Sequence, residues 1–286
     1  MTNTAAGREI LVGIDPARDC HMLLAWAADE AHRRRLPLRL LVAVPAQLDS
    51  QHVDATTQMM AQRREGTRAL EVAASWVRER HADVDVATDV LDGRPAQILI
   101  RLSGRARMIV LGSRHLSRTE EFLSAGSLVV PVSAQARCPV VVVGDAEHVT
   151  QEPLYLVVGV DGSEPSKAAL ALAFEEASLR GAALRALWVW QPPVLSLKDE
   201  PSLVQTQRSL LSEAVAGWAE KYPNVPLTHE VPVGHPVEEL ARAAEHALAV
   251  VVGRRGNGGY LGMRLGSVVH GLLHRAQCPV VTVPVR

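Results

Sequence analysis

The chain has 286 residues, of which 48% are hydrophobic and only 3% aromatic, and its formal net charge at pH 7 is −1. This length and composition predict one or two globular domains with aliphatic cores, and the near-zero charge gives no electrostatic reason for nucleic-acid binding. There is no signal-peptide pattern and no apolar run of the ~18–20 residues that cross a membrane, and three cysteines are too few for a disulfide framework, so we expect a cytoplasmic protein without membrane contact.

Apolar strand-like runs alternate with helical segments along the first half of the chain. The predicted strands lie near Glu9–Asp15, Pro37–Val44, Asp83–Leu91, Arg107–Gly112 and Pro139–Val143. The predicted helices lie near Cys20–Arg35, Thr56–His81, Pro95–Ser103 and Gly126–Ala136. Strands that alternate with helices predict a parallel sheet covered on both faces.

The second half repeats the first. Glu9–Val44 aligns with Tyr155–Trp190, which places Asp15 over Asp161, and later segments align at offsets that fall from 146 to 140 residues. A period this long indicates two copies of one domain. A polar join at Gly144–Pro153 separates them, and we predict domains at 1–147 and 153–286.

Each copy is predicted to be a doubly wound α/β domain, so the chain holds two in tandem. Five strands joined by right-handed crossovers can form a sheet in the order 3-2-1-4-5, numbered along the chain. Connections leave the first and fourth strands in opposite directions, and ligands bind at such a switch point. In the second copy Asp161 and Gly253 end these two strands.

A glycine-rich stretch near the C-terminus reads Gly253-x2-Gly256-x9-Gly266-Ser267, between an apolar strand and a helix. Glycines let a backbone approach a ligand closely, and a helix N-terminus offers N–H groups to an anion. The alternative is a flexible surface loop, because one glycine-rich loop is a weak signal. The spacing resembles the nucleotide signature of the ATP-binding branch of the universal stress proteins, and the likeness extends over nearly the whole chain, twice.

This resemblance implies a binding site for ATP, alone or with Mg²⁺, in the second copy. The implied residues are Asp161, Val189, Gly253, Arg254, Gly256, Gly266, Ser267 and Val268. Asp161 would accept a hydrogen bond from the adenine or the ribose, or would simply form a turn. Ser267 would contact a phosphate or cap the following helix, and arginines of the loop would neutralise phosphate charge.

The corresponding residues of the first copy form a degenerate motif. They are Asp15, Ala43, Gly112, Gly126 and Ser127. His115 replaces the second glycine, which adds bulk where a backbone should approach a ligand, and Glu120 and Glu121 place negative charge in the loop. We predict weak or absent nucleotide binding here, unless His115 is an ordinary surface residue and the site survives.

The resemblance implies a nucleotide-dependent regulator of a stress or dormancy response. The loop Gly253–Ser267 contains no Asp, Glu or Lys to hold magnesium or activate water, so we expect no catalytic residues and at most slow hydrolysis. Two alternatives are a slow ATP-hydrolysing or adenylyl-transferring enzyme and a partner-binding protein without nucleotide. The regulatory protein partner is not identified by the sequence.

Two smaller features complete the predictions. His270 and His274 are four residues apart on a predicted helix but lack further metal ligands, so we predict no metal site. Cys138 and Cys278 occupy equivalent positions in the two copies, which favours a role in packing. The family resemblance implies pairing of the fifth strands, Val140–Val143 with Val280–Val283, as an intrachain pseudo-dimer, or a homodimer.

Overall fold

The computed structural model describes residues 9–45, 54–113, 128–192, 200–256 and 265–285. Its internal contacts divide the chain into two compact units, Met1–Ala146 (unit 1) and Glu147–Arg286 (unit 2). Strands and helices alternate within the described residues of each unit. Such alternation gives each unit the layered α/β architecture.

The elements of unit 1 follow one another as the repeat pattern predicts. In chain order they are β1 (Glu9–Gly13), α1 (His21–Arg34), β2 (Leu38–Val44), α2 (Asp54–Arg80), β3 (Val86–Asp92), α3 (Pro95–Leu102), β4 (Ala106–Ser113), α4 (Val129–Gln135) and β5 (Val140–Gly144). These strands pair in parallel in the order β3-β2-β1-β4-β5. The strand β1 lies at the centre, with Ile10 opposite Leu38 on one side and Met108 on the other.

Unit 2 repeats this order of elements. Its elements are β6 (Tyr155–Gly159), α5 (Glu164–Arg180), β7 (Ala183–Leu187), α6 (Glu200–Lys221), β8 (Leu227–Glu230), α7 (Pro236–Ala243), β9 (Val250–Gly253), α8 (Ser267–Arg275) and β10 (Val280–Val283). The parallel strand order is β8-β7-β6-β9-β10. The topological order 3-2-1-4-5 is therefore present in each unit.

The sheets are buried on both faces, as helices covering a parallel sheet require. Consecutive residues of β5 and β10 are buried, and so are the central residues of β1 and β6. Aliphatic side chains dominate the cores, with Phe174 as the aromatic member among the largest fully buried side chains. The low aromatic content thus leads to cores filled mainly by Val, Leu, Ile and Ala.

The predicted fold class is confirmed, and the differences lie at element ends. The strand β3 starts at Val86, three residues later than predicted, because His81–Val84 forms a turn in which the Val84 N–H donates to the His81 carbonyl at 3.2 Å. The predicted start of the helix before β5, at Gly126, lies outside the described residues, and α4 is described from Val129.

Candidate functional site

A cavity of about 370 Å³ lies at the carboxyl ends of β1 and β4 in unit 1. The strands β2 and β5 lie on opposite sides of this pair, so the cavity occupies the switch point of the sheet. Its lining includes three predicted residues, Asp15, Ala43 and Gly112. Small-molecule sites commonly have volumes of about 300–1,000 Å³, so this cavity is of a size to accept part of a nucleotide or another small ligand.

The other features predicted for this half cannot be placed. Gly126, Ser127, His115 and Glu120–Glu121 lie outside the described residues. Their proposed effect on ligand binding stays a prediction from the sequence.

One guanidinium stands between two carboxylates at the mouth of this cavity. Arg18 lies 3.6 Å from Asp145 and 3.9 Å from Asp15. The Asp15 carboxylate also accepts a hydrogen bond from the Ala17 N–H at 3.1 Å. Asp15 and Asp145 are about half exposed, which leaves oxygen atoms accessible as acceptors for the amino or hydroxyl groups of a ligand.

The helix that follows the first strand begins later in unit 1 than in unit 2. In unit 2 the helix α5 begins at Glu164, three residues after Asp161, and Ser163 caps it by accepting the Ser166 N–H at 3.3 Å. In unit 1 the helix begins six residues after Asp15, and Cys20 makes no side-chain capping bond. Almost one helical turn is therefore absent from the region above β1.

The residue after each aspartate explains this difference. Gly162 has φ = +76°, a conformation that an L side chain rarely adopts. Unit 1 has Pro16 in the equivalent position, and the proline ring fixes φ near about −65°. The loop after β1 therefore cannot follow the path of the loop after β6.

In unit 2, three glycines of the equivalent region lie close to other atoms of the unit. A Cβ on Gly253 would lie 2.6 Å from the carbonyl carbon of Pro165, in the first turn of α5. A Cβ on Gly162 would lie 3.0 Å from the Trp188 ring, and one on Gly256 would overlap an Asp161 carboxylate oxygen. The glycines at 253 and 256 thus serve close packing within the protein.

The glycine motif itself is assembled at the start of α8. The Gly266 N–H donates to the Arg254 carbonyl at 2.9 Å, and a Cβ on Gly266 would lie 3.4 Å from that oxygen and from the Arg255 Cα. Ser267 is exposed as the first residue of α8. The first N–H groups of a helix have no partner within the helix, so this corner can bind an anion.

The remaining predicted residues of unit 2 flank this corner. Val268 is half-buried in the first turn of α8, and Val189 is half-buried just beyond β7. Burial lowers the pKa of Arg254, and the charge of Arg255 lowers it further. Residues 257–264, which include Arg264, lie outside the described residues.

Asp161 is fixed by the turn that follows β6. One of its carboxylate oxygens accepts hydrogen bonds from the Ser163 N–H at 3.0 Å and the Ser163 hydroxyl at 2.6 Å. Asp161 therefore stabilises the turn, which is one of the two roles considered for it from the sequence. This role coexists with the ligand interpretation, because the second oxygen faces Gly256 in the glycine motif.

A model of the universal stress protein family matches residues 7–144 and 155–284, which is nearly the whole chain in two consecutive copies. The chain belongs to the universal stress protein family. A universal stress protein of Mycolicibacterium smegmatis is 34% identical over 295 residues and covers 99% of both chains. One from Mycobacterium tuberculosis is 33% identical over 291 residues and covers 98% of both.

Solved structures of universal stress proteins share the fold. The crystal structure of one from Archaeoglobus fulgidus matches with a TM-score of 0.72 at 17% identity, over 96% of both chains. This match supports the fold. Among the described residues of our universal stress protein, no helix combines the length and the apolar character that a membrane span requires.

Sequence reasoning missed several residues of the unit 1 cavity in this universal stress protein. Arg18 and Cys20 line it, and so does Asp145, which we had assigned to the polar join between the repeats. One signal was available, since Pro16 stands in the place of Gly162 and prevents the same turn. The signal becomes interpretable only when the φ of Gly162 is known.

Proposed function

We propose that this universal stress protein is an ATP-binding regulator whose triphosphate lies against the glycine motif of unit 2. The observation that carries the proposal is the close approach of Gly266 to the Arg254–Gly256 backbone at the start of α8. Backbone N–H groups at a helix N-terminus suit an anion with several charges. Arg254 and Arg255 add positive charge at this corner.

The base and ribose would lie near Asp161 and Val189 in this proposal. The Asp161 carboxylate can accept a hydrogen bond from an amino or hydroxyl group, and Val189 offers an apolar wall. Trp188 packs over Gly162 beside this position. Rotation of the Trp188 side chain would open the space, so nucleotide binding would be coupled to a change in tryptophan environment.

The unit 1 cavity supports a second, weaker site for the nucleoside part. Ala43 and Gly112 border a volume that suits an adenosine group. A triphosphate would meet the carboxylates of Asp15 and Asp145, whose single described cationic neighbour in the cavity is Arg18. The triphosphate therefore favours unit 2, in agreement with the intact motif there.

The proposed role is that of a nucleotide-responsive regulator in a stress or dormancy response. The loop Gly253–Ser267 has no carboxylate or lysine, so Mg²⁺ would be held by the phosphates and water, and hydrolysis would be slow. Release of pyrophosphate or phosphate well above the uncatalysed rate would favour the enzyme alternative. Mass spectrometry of ligand released from the purified protein would identify the alternative without nucleotide, if none is found.

Assembly and location form part of the same proposal. The family resemblance implies that the fifth strands pair, either within one chain or between two chains. It also implies a cytoplasmic location and a separate regulatory protein partner. Light scattering with and without ATP measures the oligomeric state directly.

The test is equilibrium binding of a fluorescent ATP analogue to the wild type and to three variants. Ser267→Glu places an acidic side chain in the first turn of α8, where it favours the helix dipole but repels phosphate. We expect the variant to fold and to bind at least about tenfold more weakly. Gly256→Glu, which also overlaps Asp161, should lose binding as well.

Ala43→Trp is the matched control, because it fills the cavity of unit 1 and leaves unit 2 unchanged. Tight binding of the analogue should survive in this variant. If Ala43→Trp abolishes tight binding while Ser267→Glu preserves it, the triphosphate site is in unit 1 and the proposal is wrong.

A further inference from the structure

Two histidines and two aspartates meet where α1 and α2 end in unit 1. The rings of His32 and His81 stack with centroids 4.3 Å apart and planes 10° apart. One nitrogen or oxygen atom each from His32, His81 and Asp83 lies within 4.8 Å of the others. Among the described residues, this is the group in which three potential metal-ligating side chains come this close.

The backbone fixes the positions of these side chains. His32 belongs to the last turn of α1. His81 directly follows α2, and its N–H donates to the Val77 carbonyl at 2.8 Å, which continues the helical pattern by one residue. The turn His81–Val84 then brings Asp83 back beside the rings. The three side chains are thus held by the ends of two helices and one turn.

Hydrogen bonds to carboxylates orient the two imidazoles. His81 Nε2 lies 2.7 Å from Asp29, and because an ionised carboxylate only accepts, Nε2 is the donor and the lone pair is left on Nδ1. Asp29 in turn accepts two hydrogen bonds from Arg80, at 2.7 and 3.0 Å. A histidine whose second nitrogen donates to a carboxylate is the usual arrangement around protein-bound metals.

His32 and Asp83 already have nearly the separation of two ligands of one ion. His32 Nδ1 lies 2.8 and 3.0 Å from the two Asp83 oxygens. Bonds of about 2.0–2.2 Å to a tetrahedral ion place two ligand atoms roughly 3.3 Å apart. An ion that replaced the shared proton would need these atoms to separate by only about half an ångström.

We propose that His32, His81 and Asp83 bind a divalent first-row transition ion of the Zn²⁺ class. Two imidazole nitrogens and one carboxylate oxygen suit Zn²⁺ and its neighbours, whereas Mg²⁺ and Ca²⁺ prefer oxygen ligands. His32 and Asp83 are about half exposed, so a fourth position is open to water or to an external ligand. The bound ion would join the end of α1 to the end of α2.

The pair His270 and His274 provides an internal comparison. These rings lie on one helix, with centroids 4.8 Å apart and planes tilted by 50°. They belong to no group of three close ligands among the described residues. The spacing of this pair is visible in the sequence, where the lack of further ligands predicts no metal site. The His32 group has no such signal, because 48 residues separate His32 from His81.

The test measures Zn²⁺ binding to the metal-free, nucleotide-free full chain by competition with a chromophoric chelator. We expect one equivalent to bind, with at least about tenfold weaker affinity in His32→Gln and Asp83→Asn. His274→Gln is the matched control and should bind as the wild type does. Co²⁺ in place of Zn²⁺ should give a visible absorption spectrum that both cluster variants lose.

Folding is checked separately from binding. In excess chelator the cluster variants should melt within a few degrees of the wild type, because the replaced side chains are exposed. Added Zn²⁺ should raise the melting temperature of the wild type and of His274→Gln only. Absence of binding at millimolar Zn²⁺, or one equivalent that survives in His32→Gln, overturns the proposal. These readouts do not depend on ATP, so failure here leaves the proposed function standing.

Discussion

Pro165 and Gly253 approach so closely in unit 2 that a Cβ on the glycine would lie 2.6 Å from the proline carbonyl carbon. At the equivalent Gly112 of unit 1 the nearest atoms of the described residues would lie 3.9 Å from such a Cβ. The same position of the repeat is thus crowded in one unit and open in the other. The first turn of α5, which α1 lacks, produces the difference.

We therefore expect opposite effects of the same substitution. Gly253→Ala should lower the free energy of unfolding by about 1–3 kcal/mol, because the backbone of Pro165 must move. Gly112→Ala should be neutral or stabilising by up to about 1 kcal/mol, because it restricts the unfolded chain without a clash. Urea unfolding measures both, and equal losses in the two variants would contradict the packing difference.

The three cysteines should differ in reactivity towards iodoacetamide. Burial raises the pKa of Cys138 and of Cys278 to about 12, and only the thiolate reacts. Burial and the charge of Asp19 also raise the pKa of Cys20, but this residue is partly exposed at the unit 1 cavity. Mass spectrometry of the native protein should find Cys20 modified first, at a rate that rises with pH.

The same experiment locates the nucleotide. A triphosphate bound in unit 2 should leave the rate at Cys20 unchanged at concentrations that saturate the tight site. Full protection of Cys20 at those concentrations would place the tight site in the unit 1 cavity and contradict our assignment.

A buried ion pair occurs at the same place of the repeat in the described residues of each unit. Arg34 contacts Glu30 in α1 and Arg180 contacts Glu176 in α5, with side chains less than a tenth exposed. Arg34→Met would remove the short contact to the buried carboxylate of Glu30, while Arg33 stays at 3.8 Å, so we expect a loss of about 3–5 kcal/mol. The double variant Glu30→Gln/Arg34→Met should recover much of that loss in urea unfolding. A double variant as unstable as the single one would show that the pair itself is not the source.

Asp29 should make stability depend on pH in the acid range. Burial raises its pKa, but hydrogen bonds from Arg80 and His81 and the charges of Arg80 and Arg33 outweigh burial and hold the pKa below its usual value. A carboxyl with a lowered folded-state pKa stabilises the fold above its unfolded pKa of about 4, and that stability is lost as pH falls through the folded pKa. The difference in unfolding free energy between wild type and Asp29→Asn should therefore shrink from pH 7 towards pH 3. A constant difference would contradict the assigned ionisation.

Much of the fold follows from the sequence because it depends on patterns that repeat locally. Apolar runs such as Val140–Val143 predict buried parallel strands, and the internal repeat fixes the order of elements twice. The match of Asp15 to Asp161 across the repeat also locates both switch points. These features need only periodicity and alignment.

The shapes of the two sites could not be predicted in the same way. The unit 1 cavity depends on where α1 begins, and that start depends on the backbone angle available after Asp15. The sequence favoured unit 2 on its glycine spacing and on the bulk and negative charge in the loop of the first copy, but it did not predict how closely Pro165 and Trp188 approach Gly253 and Gly162. The metal-ligand group could not be predicted from the spacing of its residues either, because the whole of α2 lies between its two histidines.

Proline at position 16 also makes the divergence of the two copies directional. Gly162→Pro would demand a φ of the opposite sign from +76°, so that loop cannot acquire the unit 1 residue without being rebuilt. Pro16→Gly meets no such barrier, since glycine adopts either sign. A substitution at position 16 can therefore make the first copy resemble the second, whereas the backbone angle at position 162 blocks the reverse change.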